Sequence, residues 1–193
     1  MNVVASLYVT DTGKVQIVEL KTRVHRSLPG RSQQQSHELQ VMLYRYLMDK
    51  LIGGSLDCLE LWKVLTLDPE KAFGKGVQEQ INIFSYPSIN CLEKLMSQML
   101  QVARDVSEID DSLRIEYTHQ ADGQTFADET VSYNEEWLLE QTDKFFTYWH
   151  GRRSAQGVDI EEAWKCGKCD FADHCQWRIR KAEELRQKSK ANI

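Results

Sequence analysis

Two stretches near the start of the chain alternate apolar and polar residues. Residues 2–9 (NVVASLYV) and 15–21 (VQIVELK) flank the short segment DTGK at 11–14. Alternation with a period of two is typical of β-strands, and a short Gly-containing segment between two strands predicts a hairpin. One face of the second strand would carry two apolar residues followed by an acid and a base. These four residues are Val15, Ile17, Glu19 and Lys21.

Longer segments repeat apolar residues at spacings of three and four, which is typical of amphipathic helices. The predicted helices cover residues 33–50, 91–106, 134–150 and 176–190. Asn134 is a favoured N-cap residue, and Gly151 is a typical residue for ending a helix. In the first helix the residues at helical spacing include Leu39, Met42, Leu43, Tyr46 and Leu47, and Leu39, Leu43 and Leu47 form one apolar stripe.

The remaining apolar segments are short and predict further strands. They are residues 58–66, 77–84, 113–119 and 125–132. Strands and helices that alternate in this way predict the mixed α/β class. No composition shift or linker marks a second domain, so we expect a core at 1–155 and a cysteine-containing segment with a basic helix at 156–193, within the same domain.

Composition narrows the class of protein. The 193 residues are 41% hydrophobic and 27% charged, which suits one soluble domain. No apolar run reaches membrane-spanning length, and the start of the chain lacks a signal-peptide pattern, so we expect an intracellular protein without a membrane partner. The formal net charge of −5 gives no overall attraction to nucleic acid. A DNA contact would therefore need a local basic patch, for which the best candidate is the loop with Arg23, Arg26 and Arg31.

Three of the five cysteines form the pattern C-x2-C-x5-C within WKCGKCDFADHCQWR at 164–178. They are Cys166, Cys169 and Cys175. A C-x2-C turn directs two thiolates at one point, so the cluster predicts a metal or iron–sulfur site, which usually has four ligands. Zinc with His174 or Cys91 as the fourth ligand is one alternative, and three incidental cysteines are the other.

The acid and base of the second strand suggest hydrolytic chemistry. Metal-dependent phosphodiester hydrolysis needs a carboxylate that holds Mg²⁺ and a group that orients the attacking water, and Glu19 and Lys21 could supply these. Gln40 and Tyr44 lie four residues apart on the first helix and share a face, where they could bind phosphate or position DNA. Each pattern alone is also common on solvated strands and ordinary helix surfaces.

Three stretches together resemble the exonuclease V family. They are VELKTR at 18–23, LQVMLYRYLMD at 39–49 and QGVDIEEAWKCGKCDFADHCQWR at 156–178. This family is a RecB-like branch of the PD-(D/E)XK nuclease superfamily with an iron–sulfur cluster, and the chain resembles its C-terminal portion. The resemblance implies a restriction-endonuclease-like fold, in which a mixed central sheet is flanked by helices and a C-terminal iron–sulfur segment follows.

The resemblance also implies roles for individual residues. Glu19 would bind Mg²⁺, Lys21 would complete the site, and the helix with Gln40 and Tyr44 would flank it. The cysteines of the C-x2-C-x5-C pattern would hold three corners of a 4Fe–4S cluster. The implied protein is a monomeric single-strand DNA exonuclease of DNA repair. Its implied partner is a single-strand-DNA-binding protein, and its location is the nucleus and cytoplasm, with mitochondria as the alternative.

Two departures from the family pattern bear on activity. The metal-binding Asp of the family corresponds to Ala5 here, and the first cluster cysteine, which lies far upstream in the family, has no counterpart, since Cys58 and Cys91 do not match its position. We therefore expect a shortened chain with weak activity or none. The alternative function is a non-catalytic nucleic-acid or protein-binding module with a structural zinc site.

Overall fold

A computed structural model describes residues 4–83, 88–106 and 108–191 of the chain. The chain divides into two compact units, residues 1–138 and 139–193. The predicted division at 155/156 falls within the second of these units, and it stays a prediction. Residues 2 and 3 of the first predicted strand, and residue 84 of another, lie outside the described ranges. No helix within these ranges has the length and apolar character to cross a bilayer.

The first unit is built on a four-stranded sheet with the order β1-β2-β3-β4. Its strands are β1 (Val4–Val9), β2 (Val15–Arg23), β3 (Ser112–His119) and β4 (Thr125–Ser132). β1 pairs antiparallel with β2, β2 pairs parallel with β3, and β3 pairs antiparallel with β4. A parallel pair needs a long crossover, and the helical segment between β2 and β3 provides it.

The described part of that crossover contains four helices, and another helix follows β4. They are α1 (Arg31–Ile52), α2 (Cys58–Val64), α3 (Lys75–Ile83), α4 (Leu92–Arg104) and α5 (Glu135–Trp149). Asn134 caps α5 by accepting a hydrogen bond from the Trp137 N–H at 2.9 Å. Gly151 follows the helix with a φ of 67°, a conformation that glycine adopts without steric cost. The mixed α/β class is confirmed, as are both ends of α5.

Two of the predicted strands are wrong. Residues 58–66 and 77–84 were predicted as strands, but the structure has α2 and α3 there. Short apolar runs do not distinguish strand from helix by periodicity. The missed signal for α2 is Asp57 three residues before Glu60, a helix-start pattern, and the Asp57 side chain accepts from the Glu60 N–H at 2.9 Å.

The core of the first unit lies between α1 and the sheet. Its fully buried residues come from β2, α1, β3 and the start of α5: Ile17, Val41, Leu113, Ile115, Tyr117 and Leu138. The helix stripe predicted from the sequence was only partly right. Met42 is buried and Leu39 and Leu43 pack against this core, but Leu47 is about half exposed, and Val41, which the stripe did not include, is fully buried.

The second unit contains the rest of α5, two short 3-10 segments and a last helix. The 3-10 segments cover Ile160–Lys168 and Ala172–His174, and α6 covers Gln176–Ala191. The predicted helix at 176–190 is therefore confirmed. Gly157 lies against the indole ring of Trp177, so closely that a Cβ at residue 157 would overlap the ring. This contact closes the segment that contains all three clustered cysteines.

Candidate functional site

Glu19 is the most deeply buried charged side chain among the described residues, with 0% of its surface exposed. It lies in the middle of β2, and the alternation of that strand directs it to the same face as the core residue Ile17. Within the described ranges, neither carboxylate oxygen has a hydrogen-bond partner. A buried carboxylate without hydrogen bonds is costly, so its retention indicates a cationic partner.

Lys21 supplies one such cation. Its Nζ lies 2.7 Å from Oε1 of Glu19, and its side chain is only 8% exposed. The contact is an ion pair, and among the described residues the Glu19 oxygens have no hydrogen-bond donor. A lone ion pair in this environment leaves most acceptor positions of the carboxylate unused.

Gln40 and Tyr44 extend this pair into a polar chain. Lys21 Nζ donates to Oε1 of Gln40 at 2.5 Å, and Nε2 of Gln40 donates to the Tyr44 hydroxyl at 2.6 Å. A lysine ammonium has only donors, so the Gln40 amide must present its oxygen to Lys21 and its NH₂ group to Tyr44. The structure therefore brings together all four side chains predicted for the site, from β2 and α1. Their chemical roles stay predictions.

A second polar network lies beside the first, and sequence reasoning assigned no function to it. The Nδ1 atom of His37 lies 3.2 Å from the Tyr117 hydroxyl, which donates to Oε2 of Glu129 at 3.1 Å. Gln34 donates to the other oxygen of Glu129 at 2.9 Å. The sequence signal was weak: His37 precedes Gln40 by three residues, but Tyr117 and Glu129 come from distant strands.

Burial governs the ionisation of this second network. Burial lowers the pKa of His37 to about 4, and the positive charges of Lys21 and Arg23 add to the effect. Burial also raises the pKa of the fully buried Tyr117 hydroxyl, and the negative charge of Glu129 adds to it. At neutral pH, His37 and Tyr117 are therefore both neutral.

The three arginines predicted to bind DNA have protein partners. Arg26 Nη2 lies 2.6 Å from Oδ2 of Asp122, and Arg31 pairs with Glu38 at 2.8 Å. Arg23 donates to the backbone oxygen of Ser27 and to the side chain of Gln33. The acidic partners reduce the positive potential of this loop, although the side chains of Arg26 and Arg31 are 45% and 68% exposed.

Asp122 is held by several donors at once. Its Oδ1 accepts from the Gln124 N–H at 3.0 Å and lies 3.1 Å from Nδ1 of His119. The backbone hydrogen bond lowers the pKa of Asp122 to about 2, with further contributions from His119 and Arg26. Asp122 therefore stays an anion across the physiological range and keeps Arg26 oriented.

The three cysteines of the C-x2-C-x5-C pattern all belong to the second unit. Cys166 is in the first 3-10 segment, Cys169 follows it, and Cys175 lies just before α6. All three are free thiols, and the Cys169 N–H donates to the Cys166 carbonyl at 3.4 Å, which closes the C-x2-C turn. In the described part of the chain, no three His, Cys, Asp or Glu side chains are gathered closely enough to hold a metal ion.

The two other candidate zinc ligands occupy different parts of the chain. Cys91 is buried at the N-cap of α4 in the first unit. His174 lies at the end of the second 3-10 segment and is exposed. Two thiols in a C-x2-C turn and a third six residues later are suitable donors for a thiolate-bound metal or cluster, but the described residues do not gather three such ligands at one point.

Comparisons with known proteins point to one family. A family model described as "Exonuclease V - a 5' deoxyribonuclease" matches residues 3–85 and 78–178. A curated protein named Exonuclease V from Danio rerio is 31% identical over 178 residues, which cover 92% of this chain and 45% of that protein. The chain thus spans about half the length of the curated relative that it matches.

Proposed function

Because this chain belongs to the exonuclease V family, we propose that it acts in the Mg²⁺-dependent exonucleolytic hydrolysis of single-stranded DNA during DNA repair. The observation that carries the proposal is the buried, hydrogen-bond-deficient carboxylate of Glu19 next to Lys21. If Glu19 and Lys21 served only to stabilise the fold, two apolar residues would do so at least as well, since buried ion pairs contribute little net stability. A hard oxygen ligand that lacks donors is well suited to a divalent cation.

Each residue of the first polar chain has a role in this proposal. Mg²⁺, when bound at Glu19, would supply Lewis-acid activation of a water and offset charge on the phosphate. Lys21 would stabilise the negative charge that develops on the phosphate oxygens. Gln40 would hold the Lys21 ammonium in place, and the Tyr44 hydroxyl would fix the orientation of the Gln40 amide.

The topology supports the restriction-endonuclease-like fold as part of this proposal. An antiparallel hairpin, β1 and β2, carries the acid and the lysine, and a helical crossover then leads to the parallel neighbour β3. α1 lies against the face of the sheet that contains Glu19. Glu19, the catalytic acid of this proposal, lies in a strand, where a side chain is held more rigidly than it would be in a loop.

Weak activity of the chain as it stands is the second part of the proposal. Ala5 is the residue directly opposite Glu19 in the β1–β2 pairing. Directly opposite residues in an antiparallel pair have neighbouring Cβ atoms, so this position is where a second carboxylate would contribute to a shared metal site. One carboxylate holds Mg²⁺ weakly because this ion gives up its water ligands reluctantly.

We further propose that Arg23, Arg26 and Arg31 bind the phosphates of the strand. Arg23 is the last residue of β2 and follows Lys21 by two positions. The arginine loop therefore begins beside the first polar chain. A DNA phosphate would replace the acidic partner of Arg26 or Arg31. Because these contacts are electrostatic, the affinity for DNA should fall as salt concentration rises.

We propose that Cys166, Cys169 and Cys175 hold three corners of a 4Fe–4S cluster, for which this chain has no fourth cysteine at the position of the family pattern. The three free thiols and the closed C-x2-C turn support this donor set. Anaerobic addition of iron and sulfide to the purified chain should give a brown protein that loses its colour when Cys166 is replaced by Ser. Colourless protein that binds one zinc per chain would favour the zinc-binding module instead.

The decisive experiment measures digestion of single-stranded DNA labelled at its 5′ or its 3′ end. We expect slow, Mg²⁺-dependent digestion that EDTA stops and that Glu19→Gln abolishes. Glu116→Gln is the matched control, because Glu116 is the β3 partner of Leu20 and so belongs to the other face of the sheet. Early release of the 5′ label would agree with the family description. Equal digestion by wild type and Glu19→Gln would overturn the proposal.

A further inference from the structure

Three polar contacts attach α1 to three neighbouring strands. Gln34 reaches Glu129 of β4, His37 reaches Tyr117 of β3, and Gln40 reaches Lys21 of β2. The helix residues are spaced by three, so each successive turn of α1 contacts the next strand of the sheet. The axial rotation of α1 is therefore fixed by directed hydrogen bonds as well as by apolar packing.

The directions of these hydrogen bonds follow from the number of protons available. The Tyr117 hydroxyl has one proton, and it donates that proton to Glu129. Its oxygen can then only accept from His37, so the Nδ1 atom of His37 must carry the hydrogen. A neutral His37 is consequently held as the Nδ1–H tautomer, with the lone pair on Nε2.

The register of the sheet places the His37–Tyr117–Glu129 network beside the first polar chain. Tyr117 is the β3 partner of Lys21, and both side chains belong to the face of the sheet that α1 covers. Turning α1 by a single residue position, about 100°, would remove His37 from Tyr117 and Gln40 from Lys21 together. The contact that orients the Lys21 ammonium thus depends on the contact one turn earlier.

We infer that His37, Tyr117 and Glu129 are positioning residues: they fix the rotation of α1 at which Gln40 holds the Lys21 ammonium beside Glu19. The inference rests on the proposed function for its catalytic meaning. Its structural content, a defined His37 tautomer coupled to an ordered Lys21, can be tested without any nuclease activity.

The test is nitrogen-15 NMR of the histidine rings and lysine ammonium groups in the full chain. Wild type should show His37 as the Nδ1–H tautomer and an ordered ammonium signal for Lys21. Tyr117→Phe removes only the hydroxyl, so His37 should shift toward the Nε2–H tautomer and the Lys21 signal should broaden or disappear. Tyr133→Phe is the matched control, because the Tyr133 hydroxyl has no hydrogen-bond partner among the described residues.

A conservative pair of substitutions separates positioning from simple packing. The Asn amide carries an N–H close to the position of Nδ1 in His, so His37→Asn should retain the Lys21 signal. His37→Leu fills the space without a donor, and it should lose that signal while the chain stays folded. Retention of the Lys21 signal in both Tyr117→Phe and His37→Leu would overturn the inference, as would an Nε2–H tautomer in wild type.

The outcomes also distinguish this inference from the proposed function. If the chain shows no Mg²⁺-dependent digestion but the NMR result is as expected, the positioning network stands and the catalytic proposal fails. If digestion depends on Glu19 but the Tyr117 variant leaves Lys21 unchanged, the reverse holds. In an active chain, Tyr117→Phe should lower kcat by roughly 10- to 100-fold with little change in KM, as changes beyond the directly reacting groups typically do.

Discussion

Ala5 lies directly opposite Glu19 in the antiparallel pairing of β1 and β2. The position that the family resemblance assigned to a metal-binding Asp is thus the cross-strand neighbour of the only acid in the first polar chain. The resemblance supplied the identity of the position, and the register supplies the reason why a carboxylate there would matter. The weak activity that we propose can therefore be tested by substituting Ala5 alone.

The first prediction concerns Ala5→Asp. A second carboxylate opposite Glu19 should raise Mg²⁺ affinity and increase the rate of single-strand digestion by at least about tenfold. Without metal, two adjacent carboxylates should repel, so Mg²⁺ should raise the melting temperature of this variant more than that of wild type. Digestion assays and thermal unfolding with and without Mg²⁺ measure both effects. Ala5→Asn has the same size without the charge, and it should reproduce neither.

The second prediction concerns the stability of the Glu19–Lys21 pair. Lys21→Met should lower the free energy of unfolding by about 3 kcal/mol or more, because it leaves a buried carboxylate without its cation. The double variant Glu19→Gln/Lys21→Met should recover most of that loss. Urea denaturation gives the free energies. Additive effects of the two single changes would contradict the burial argument.

A surface pair provides the control for this cycle. Lys14 and Glu108 are also 2.7 Å apart, but their side chains are 40% and 72% exposed. Solvent screens such a pair, so Lys14→Met should change the urea midpoint little. The comparison isolates burial, because the separation of the charged atoms is the same in both pairs.

The third prediction is a pH dependence of stability due to His37. Its pKa is about 4 in the folded chain against 6.5 for the unfolded residue, with burial as the main cause. Between these values the unfolded state binds the proton and the folded state does not, so the free energy of unfolding falls as pH drops from 6.5 toward 4. The full loss is on the order of 3 kcal/mol.

Urea denaturation at pH 7, 6 and 5 checks this prediction. His37→Asn cannot titrate in this range, so its stability should be nearly flat. The exposed His25 serves as control, and His25→Asn should keep the wild-type dependence of the free energy of unfolding on pH.

The low pKa of Asp122 affects stability in a separate pH range. Its stabilising contribution is present above the usual Asp pKa and is lost only as pH falls below about 4 toward 2.

The fourth prediction concerns Gly157 in the cysteine segment. Gly157→Ala should displace the Trp177 ring, because the added Cβ would overlap the ring close to its attachment point. The indole N–H signal of Trp177 should shift, and iron incorporation should fall because the cysteines lie between these two residues. Gly167→Ala is the control for the indole signal, since an added Cβ there meets no atom of a more distant described residue within 4 Å. Equal indole shifts in both variants would contradict the steric argument.

The parts of the fold that were predictable are those coded by local patterns. The hairpin, α1, α4, α5 and α6 follow from periodicity and from caps such as Asn134. α2 and α3 were mistaken for strands because short apolar segments fit both periods. Leu47 shows the same limit within a helix: its apolar character suggested burial, but the rotation of α1 depends on contacts with distant strands.

The site divides in the same way. Glu19 with Lys21, and Gln40 with Tyr44, were predictable as separate pairs because each pair lies within one element. The contact between Lys21 and Gln40 required the placement of α1 on the sheet. The Tyr117–Glu129 contact joins β3 to β4 on the face of the sheet that α1 contacts through His37 and Gln34. No local sequence pattern predicts it.

The parallel pairing of β2 with β3 has a consequence for how the chain folds. It joins residue 18 to residue 114, whereas the two hairpins, β1–β2 and β3–β4, join residues close in sequence. Closing so long a segment carries a large entropic cost, and such non-local pairings form late. Because Glu19 pairs with Ile115 of β3, we expect its carboxylate to reach full burial only in this late step of folding.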